Sequence, residues 1–278
     1  MAQKIWFITG ISSGIGKALA EAVIDKGDFV IGTFRNPLQV DVFNNQHKDE
    51  ALAIQLDVTQ PAAIQAAVAA ILTRFGRIDV LVNNAGFGFA GAVEEASTEE
   101  VEAVFAANFF GALQLTQAVL PIFRAQRSGH ILQISSHGGI KAFPGFGIYN
   151  ASKFALEGFS EALAAEVAGL GIQVTIVEPG PFRTGFAGSS FQEAKNQIAD
   201  YAATAGAFRA RMKQVDGQQE GDPAKAALAI IHITELEQAP LRLPLGKVAI
   251  GTISAKLESV RKDLEDWKQL AESAVFEL

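Results

Sequence analysis

The sequence predicts an α/β fold: a doubly wound parallel sheet with helices on both faces, formed as one domain over residues 1–278. Three observations predict it. Short apolar runs rich in Ile, Val and Phe alternate with longer Ala-rich stretches whose apolar residues recur at helical spacing. A chain of 278 residues is long enough to bury a sizeable core in one large domain. Its 26 glycines and 9 prolines show no period, which excludes a collagen-like chain and argues against low complexity.

Residues 4–9 form the first expected strand, and 29–34, 52–56, 78–82, 130–134 and 173–177 follow as buried strands of the same character. Between them, residues 15–26, 61–75, 98–127 and 149–170 carry the helical period. Thr59 is placed to cap the second of these helices, with Pro61 in its first turn. The strand pattern lapses over 184–221, a segment broken by Gly185, Gly188, Gly206 and Gly217 and helical only in pieces such as 191–211. An insertion of that length in a compact domain reads as a substrate lid. Asp222-Pro223 opens a helix over 224–236, residues 241–245 supply a last strand, and 254–273 form a charged C-terminal helix. No internal repeat is present.

Charge and composition remove several function classes. Lys and Arg number 23 against 30 Asp and Glu, a net charge of −7, and the basic residues form no cluster, so neither nucleic acid nor an anionic membrane is an expected partner. The absence of cysteine excludes disulfides, thiolate metal sites and cysteine nucleophiles, and fits a cytoplasmic location. No His, Asp and Glu cluster has metal-ligand spacing, so no metal is expected. The apolar run after Lys4 is only four residues, too short for a signal-peptide core. The uncharged stretch 103–123 has the length of a membrane span, but Asn108, Gln114, Thr116, Gln117 and Pro121 would be penalised in hydrocarbon. It is expected to be a helix buried in protein.

In such sheets ligands bind beyond the carboxyl ends of the strands, so the residues after each strand are the ones to examine. The first strand runs into Thr9-Gly10-Ile11-Ser12-Ser13-Gly14-Ile15-Gly16. Glycines at 10, 14 and 16 permit a tight turn, close approach of backbone to a pyrophosphate and close helix–sheet packing, with helix N–H groups left to bind phosphate. Spaced GxxxGxG, they differ from the general GxGxxG fingerprint and alone fit any tight connection. Further along come Asp57-Val58, Asn83-Asn84-Ala85-Gly86, Asn108, Ser136, Tyr149-x-x-x-Lys153, and Pro179-Gly180 with Thr184. Together, and in this order, these pieces resemble the short-chain dehydrogenase/reductase family in its compact, single-domain, Rossmann-like form. The likeness covers most of the first 184 residues and weakens beyond them.

The resemblance implies an oxidoreductase that passes hydride between a nicotinamide and a carbonyl or alcohol substrate. Gly10, Ser12, Ser13, Gly14, Ile15 and Gly16 would hold the pyrophosphate side. Asp57 and Val58 would meet the adenine, and Asn84, Ala85 and Gly86 a ribose. Pro179, Gly180, Phe182 and Thr184 would meet the nicotinamide amide; Pro181 has no N–H, so Phe182 is the expected backbone donor. Tyr149 would be the acid/base. Lys153, one helical turn away, and an oxidised nicotinamide would favour its phenolate over an ordinary pKa of about 10. Lys153 would also hold ribose hydroxyls, Ser136 the substrate oxygen, and Asn108 a water that continues the proton relay. Members of this family usually form dimers or tetramers, and a homodimer is expected, with the C-terminal helix (Trp267, Leu270) over a surface that others use to tetramerise.

Cofactor choice turns on the second strand. NAD-preferring dinucleotide folds usually end it in an acid that binds ribose hydroxyls. Here Phe34-Arg35-Asn36 has none, and Arg35 suits a 2′-phosphate. NADP(H) is therefore expected over NAD(H), although Ser13 brings no second positive charge. His137 is expected to line the pocket, and His130 and His47 to be structural or solvent-facing. Phe87, Phe89, Phe143, Phe146, Phe182, Phe186 and Phe191 stand where substrate should sit, which favours an apolar or aromatic ketone. Length and glycine spacing disfavour a dehydratase or epimerase of the extended folds. A catalytically silent nucleotide-sensing or scaffold protein is the other alternative, opposed by the intact set Asn108, Ser136, Tyr149 and Lys153.

Overall fold

The computed structural model describes residues 3–188 and 190–276. In chain order the elements are β1 (Ile5–Ile8), α1 (Gly14–Asp25), β2 (Phe29–Phe34), α2 (Pro37–His47), β3 (Ala51–Gln55), α3 (Pro61–Phe75), β4 (Val80–Asn83) and β5 (Gly88–Ala90). Then come α4 (Thr98–Phe105), α5 (Gly111–Gln126), β6 (Gly129–Ile134), α6 (Gly147–Val167) and β7 (Ile172–Pro179). The chain closes with β8 (Phe191–Glu193), α7 (Ala207–Val215), α8 (Pro223–Ile233), β9 (Arg242–Leu245) and α9 (Lys247–Glu272).

Seven strands pair in the order β3-β2-β1-β4-β6-β7-β9, every neighbour parallel. Because β1 has β2 on one side and β4 on the other, the strand order reverses at β1, and a crevice opens there. Two apolar cores lie on opposite faces. One packs Leu19, Val23, Ile230 and Ile231 of α1 and α8 against Trp6, Ile8 and Val82. The other packs Ile64, Val68, Leu115, Val119, Phe123 and Leu163 of α3, α5 and α6 against Phe7, Ile31, Leu81 and Ile131. His130 is buried and shares a 3.0 Å hydrogen bond with Thr175, burial holding its pKa near 4; His47 packs on Phe43. Both are structural.

Several boundaries differ from expectation, each for a local reason. The expected helix 98–127 is interrupted by a π segment, Ala106–Phe110, that carries Asn108 inward. One face of this stretch meets the core, while Phe110 is 47% exposed, so it is buried on one side only. It is also the one stretch among the described residues long and apolar enough to cross a membrane. Thr59 does not cap α3: its hydroxyl and N–H both donate to Asp57 Oδ1, at 2.8 and 2.9 Å, and Gln60 takes the cap position before Pro61. α2 has no buried residue and so no apolar period to announce it; Asn36 caps it by accepting from Leu38 N–H. α6 opens at Gly147 rather than Tyr149, and α9 at Lys247 rather than 254.

The largest correction falls in the expected lid. Residues 191–211 do not begin as helix. Phe191–Glu193 is the strand β8, parallel to β5, because Phe191 packs on Phe186 and over Gly88, where any side chain would collide. A short 3₁₀ turn (Ala199–Tyr201) and a π segment (Ala202–Gly206) precede α7.

Candidate active site

The carboxyl ends of the central strands open on one cavity of about 1200 Å³. At its first end the chain turns between β1 and α1 with Gly10 and Gly14 at φ +69° and +63°, a region open to glycine at little cost. The turn is tied to β4 by side chains. Thr9 Oγ1 donates to Val82 O and accepts from Asn84 and Ala85 N–H, while Asn84 Nδ2 donates to Thr9 O and Gly10 O at 2.8 and 2.9 Å. A Cβ at Gly16 would lie 2.3 Å from Asn84 Nδ2, so Gly16 sits behind the cavity wall as a packing residue. Ser12, Ser13, Gly14 and Ile15 line the cavity, and Ser13 spends no side-chain bond on capping α1, leaving the first N–H groups of the helix for a ligand.

Arg35 lines the same end. Its exposed guanidinium makes no hydrogen bond or ion pair among the described residues. Asp57, Val58, Asn84, Ala85 and Gly86 continue the wall. Pro179, Gly180, Phe182 and Thr184 close the far side; no carbonyl takes the Phe182 N–H among the described residues, while Thr184 Oγ1 accepts from Phe186 N–H. Free helix N–H groups and a turn that excludes side chains fit the pyrophosphate of a dinucleotide.

At the second end, Tyr149 stands in the first turn of α6, 4% exposed, with Phe146 stacked at 4.2 Å and Phe186 edge-on at 5.6 Å. Burial raises the phenol above its ordinary pKa, the Ser136 hydroxyl acting against it. The expectation of a phenolate concerned Tyr149 beside both Lys153 and an oxidised nicotinamide, and burial opposes it. Lys153 Nζ donates to Ile134 O at 2.8 Å and lies 5.9 Å from the Tyr149 ring centre. Burial lowers its pKa to about 8, with the Glu157 carboxylate pulling upward. Ser136 Oγ accepts from Gly138 N–H at 2.9 Å, which leaves its own proton free to donate.

Asn108 lies just behind this wall. Its Oδ1 accepts from Phe87 N–H, and its Nδ2 donates to Phe87 O and Ser152 Oγ. Both amide protons are therefore engaged in holding the loop after β4 and the start of α6. His137 lines the cavity beside Phe143, as expected, its pKa lowered to about 4 chiefly by burial. Five of the seven singled-out phenylalanines line the cavity; Phe89 is core, packed with Val104 and Ala194, and Phe191 supports Phe186 from behind.

Five participants had no sequence signal strong enough to single them out. Phe208 lines the cavity and packs on Phe146 at 4.8 Å. Arg209 and Glu95 form a buried ion pair at 2.6 Å that fastens α7 to the loop before α4. Glu95 also accepts from Ala92 and Ile198 N–H, and with Arg209 these bonds draw its pKa down to about 2. Asn150 clamps the Ser136 turn by donating to Gly138 O and accepting from Phe143 N–H. Glu157 follows Tyr149 and Lys153 at the same four-residue spacing. Burial raises its pKa to about 7, and Glu178 adds to the rise, while Ser135 and Arg242 oppose it. That spacing of polar residues along a buried helix face was the available signal.

Comparison with known proteins places this geometry. The short chain dehydrogenase family model matches residues 4–195. The chain is 40% identical over 269 residues to the oxidoreductase BOA17 of Botryotinia fuckeliana, covering 96% of this chain and 98% of that protein. It is 38% identical over 262 residues to a 3-ketodihydrosphingosine reductase of Bacteroides thetaiotaomicron, covering 93% of each. The crystal structure of a short-chain dehydrogenase from Streptomyces avermitilis superimposes with a TM-score of 0.92 at 43% identity, over 99% of this chain and 100% of that one. The chain belongs to the short-chain dehydrogenase family, oxidoreductases that work on small molecules with a nicotinamide dinucleotide.

Proposed function

We propose that the protein is an NADP(H)-dependent carbonyl reductase, or alcohol dehydrogenase in the reverse direction, acting on an apolar or aromatic ketone or aldehyde. One observation carries the proposal: Ser136, Tyr149 and Lys153 converge at one end of a cavity whose other end is the glycine turn with Arg35. The bound nucleotide would supply or accept the hydride at the carbonyl carbon. The chain's own residues serve the oxygen. Ser136 donates its free proton to hold the carbonyl, and Tyr149 gives up its phenolic proton as the oxygen gains charge. Burial keeps Tyr149 neutral, the form that reduction requires. The Lys153 ammonium, one turn away, favours the phenolate left behind. Asn108 would anchor a water that continues the proton relay to Lys153.

NADP(H) over NAD(H) is supported by the unpaired Arg35 and by the absence of an acid from Phe34 to Asn36. Phe87, Phe143, Phe146, Phe186 and Phe208 supply the apolar wall, and one relative is named for the reduction of a ketone. Residues 184–188 and 190–221 form the substrate-side cover in this reading, residue 189 of the expected lid lying outside the described residues. A homodimer and a cytoplasmic location complete it. In oxidation the rate should rise towards alkaline pH, because Tyr149 must first lose its proton.

The test follows NADPH absorbance across a panel of aliphatic and aromatic ketones. The proposal expects consumption that is fastest with apolar ketones and slower with NADH. No consumption with any ketone, together with tight NADPH binding, would leave a nucleotide-binding protein without reductase chemistry.

A further inference from the structure

α9 spans 26 residues, about 39 Å at 1.5 Å per residue, and only its first turns meet the rest of the chain. Ala249 is buried and Thr252, Ile253 and Lys256 are partly buried, but every residue from Leu257 to Phe276 is exposed. A helix without a packed face gains little from propensity alone, so a stripe of large apolar side chains on it requires an explanation. Ile250, Ile253, Leu257, Val260, Leu264 and Trp267 recur at alternating intervals of three and four, the spacing of a coiled-coil seam. Leu257, Leu264 and Trp267 are 60%, 69% and 64% exposed.

We propose that this seam is covered by α9 of a second copy of the chain, running antiparallel about a two-fold axis between Glu258 and Ser259. Across that axis Ile250 layers on Trp267, Ile253 on Leu264 and Leu257 on Val260, so the stripe is complementary to itself. Charge selects this arrangement. Between Lys256 and Glu272, the ion pairs Arg261 with Glu258 and Glu265, Lys262 with Asp266, and Lys268 with Glu272 lie within the helix. Lys256 and Asp263 alone have no ion pair among the described residues, and both flank the seam on the same side. The antiparallel pair sets Lys256 beside Asp263 twice and so joins the two charges that lack an intrahelical partner, whereas a parallel pair would set Lys256 beside Arg261 and Asp263 beside Lys268, which is already paired with Glu272. The like-charge approach of the antiparallel pair, Lys247 to Lys268, is also made twice and falls at the solvated ends, where Lys268 already pairs with Glu272. An anionic lipid surface is a poor alternative, since the segment from Lys256 to Glu272 carries five acids against four bases.

The test uses the full chain. Light scattering should give the wild type twice the mass of a Leu257→Lys, Leu264→Lys double variant, with NADPH binding the same in both. The cysteine-free sequence allows a second measurement that does not depend on a disruptive variant. Lys256→Cys and Asp263→Cys chains, mixed and mildly oxidised, should form a 256–263 disulfide, and neither chain alone should crosslink. A wild type that is monomeric at micromolar concentration, a double variant that keeps the wild-type mass, or crosslinking of either chain with itself as readily as in the mixture would overturn the proposal. So would a monomer that sediments with phosphatidylcholine vesicles through the same leucines.

Discussion

The two ends of the cavity are built by different means. The glycine turn is a backbone construction: positive φ at Gly10 and Gly14, no side chain at Gly16, and the Thr9–Asn84 bonds that join adjacent strands. The substrate end is a side-chain construction assembled from distant segments, in which Glu95 and Arg209 meet across 114 positions and Phe208 reaches Phe146. A backbone cradle tolerates few residue types at fixed spacing. A wall of interlocked side chains can be filled in many ways and leaves a weaker trace in the sequence.

Breaking the second construction while leaving the first intact should give the largest change in stability. Arg209→Ala leaves the Glu95 carboxylate buried without its partner, a change that costs about 3–5 kcal/mol. Denaturant midpoints should fall accordingly, while NADPH affinity stays at the wild-type value; a parallel loss of affinity would mean that the two ends are one cooperative unit. pH sharpens the same comparison. Because Glu95 is lowered from its usual 4.5 to about 2, the stability it contributes is complete above pH 4.5 and disappears as pH falls towards 2. The gap between wild type and Arg209→Ala should therefore narrow over that interval, as read from urea midpoints.

The first construction is tested by Arg35→Ala. A charge-assisted hydrogen bond contributes about 1.5–3 kcal/mol, so NADPH affinity should fall about ten- to 150-fold and NADH affinity should barely move. An unchanged NADPH-to-NADH ratio of kcat/KM would remove Arg35 from the cofactor site. The smallest effect expected is that of Phe208→Ala. Loss of its ring contacts is worth about 0.5–1.5 kcal/mol, so KM for a bulky apolar ketone should rise about two- to twelvefold with KM for NADPH unaltered.

This division also explains what was legible in the sequence. The seven strands of the main sheet and six of the helices announce themselves by period, because each buries an apolar run or face. α2 has no buried face and went unseen. β5 and β8, three residues each, depend on each other and on Phe191 over Gly88, a contact that no local pattern contains. The residues from Gly10 to Gly16, Asn84 to Gly86, and Tyr149 with Lys153 were legible because backbone geometry or helical spacing fixes them. Glu95, Asn150 and Arg209 were not, since each acts through a partner far away in the chain. The surroundings of Tyr149 were legible only in part for a related reason. Spacing shows Lys153 nearby but not the Phe146 and Phe186 rings whose packing keeps the phenol out of water.

The central claim is that Tyr149 passes its proton to the carbonyl oxygen, and Tyr149→Phe tests it by removing that hydroxyl alone. With NADPH and the best ketone of the panel, turnover should fall by about 10²–10⁴, the usual contribution of a positioned acid. Thermal stability and NADPH affinity should remain those of the wild type. Ketone reduction within a few-fold of the wild-type rate, with chemistry rate-limiting, would contradict the account.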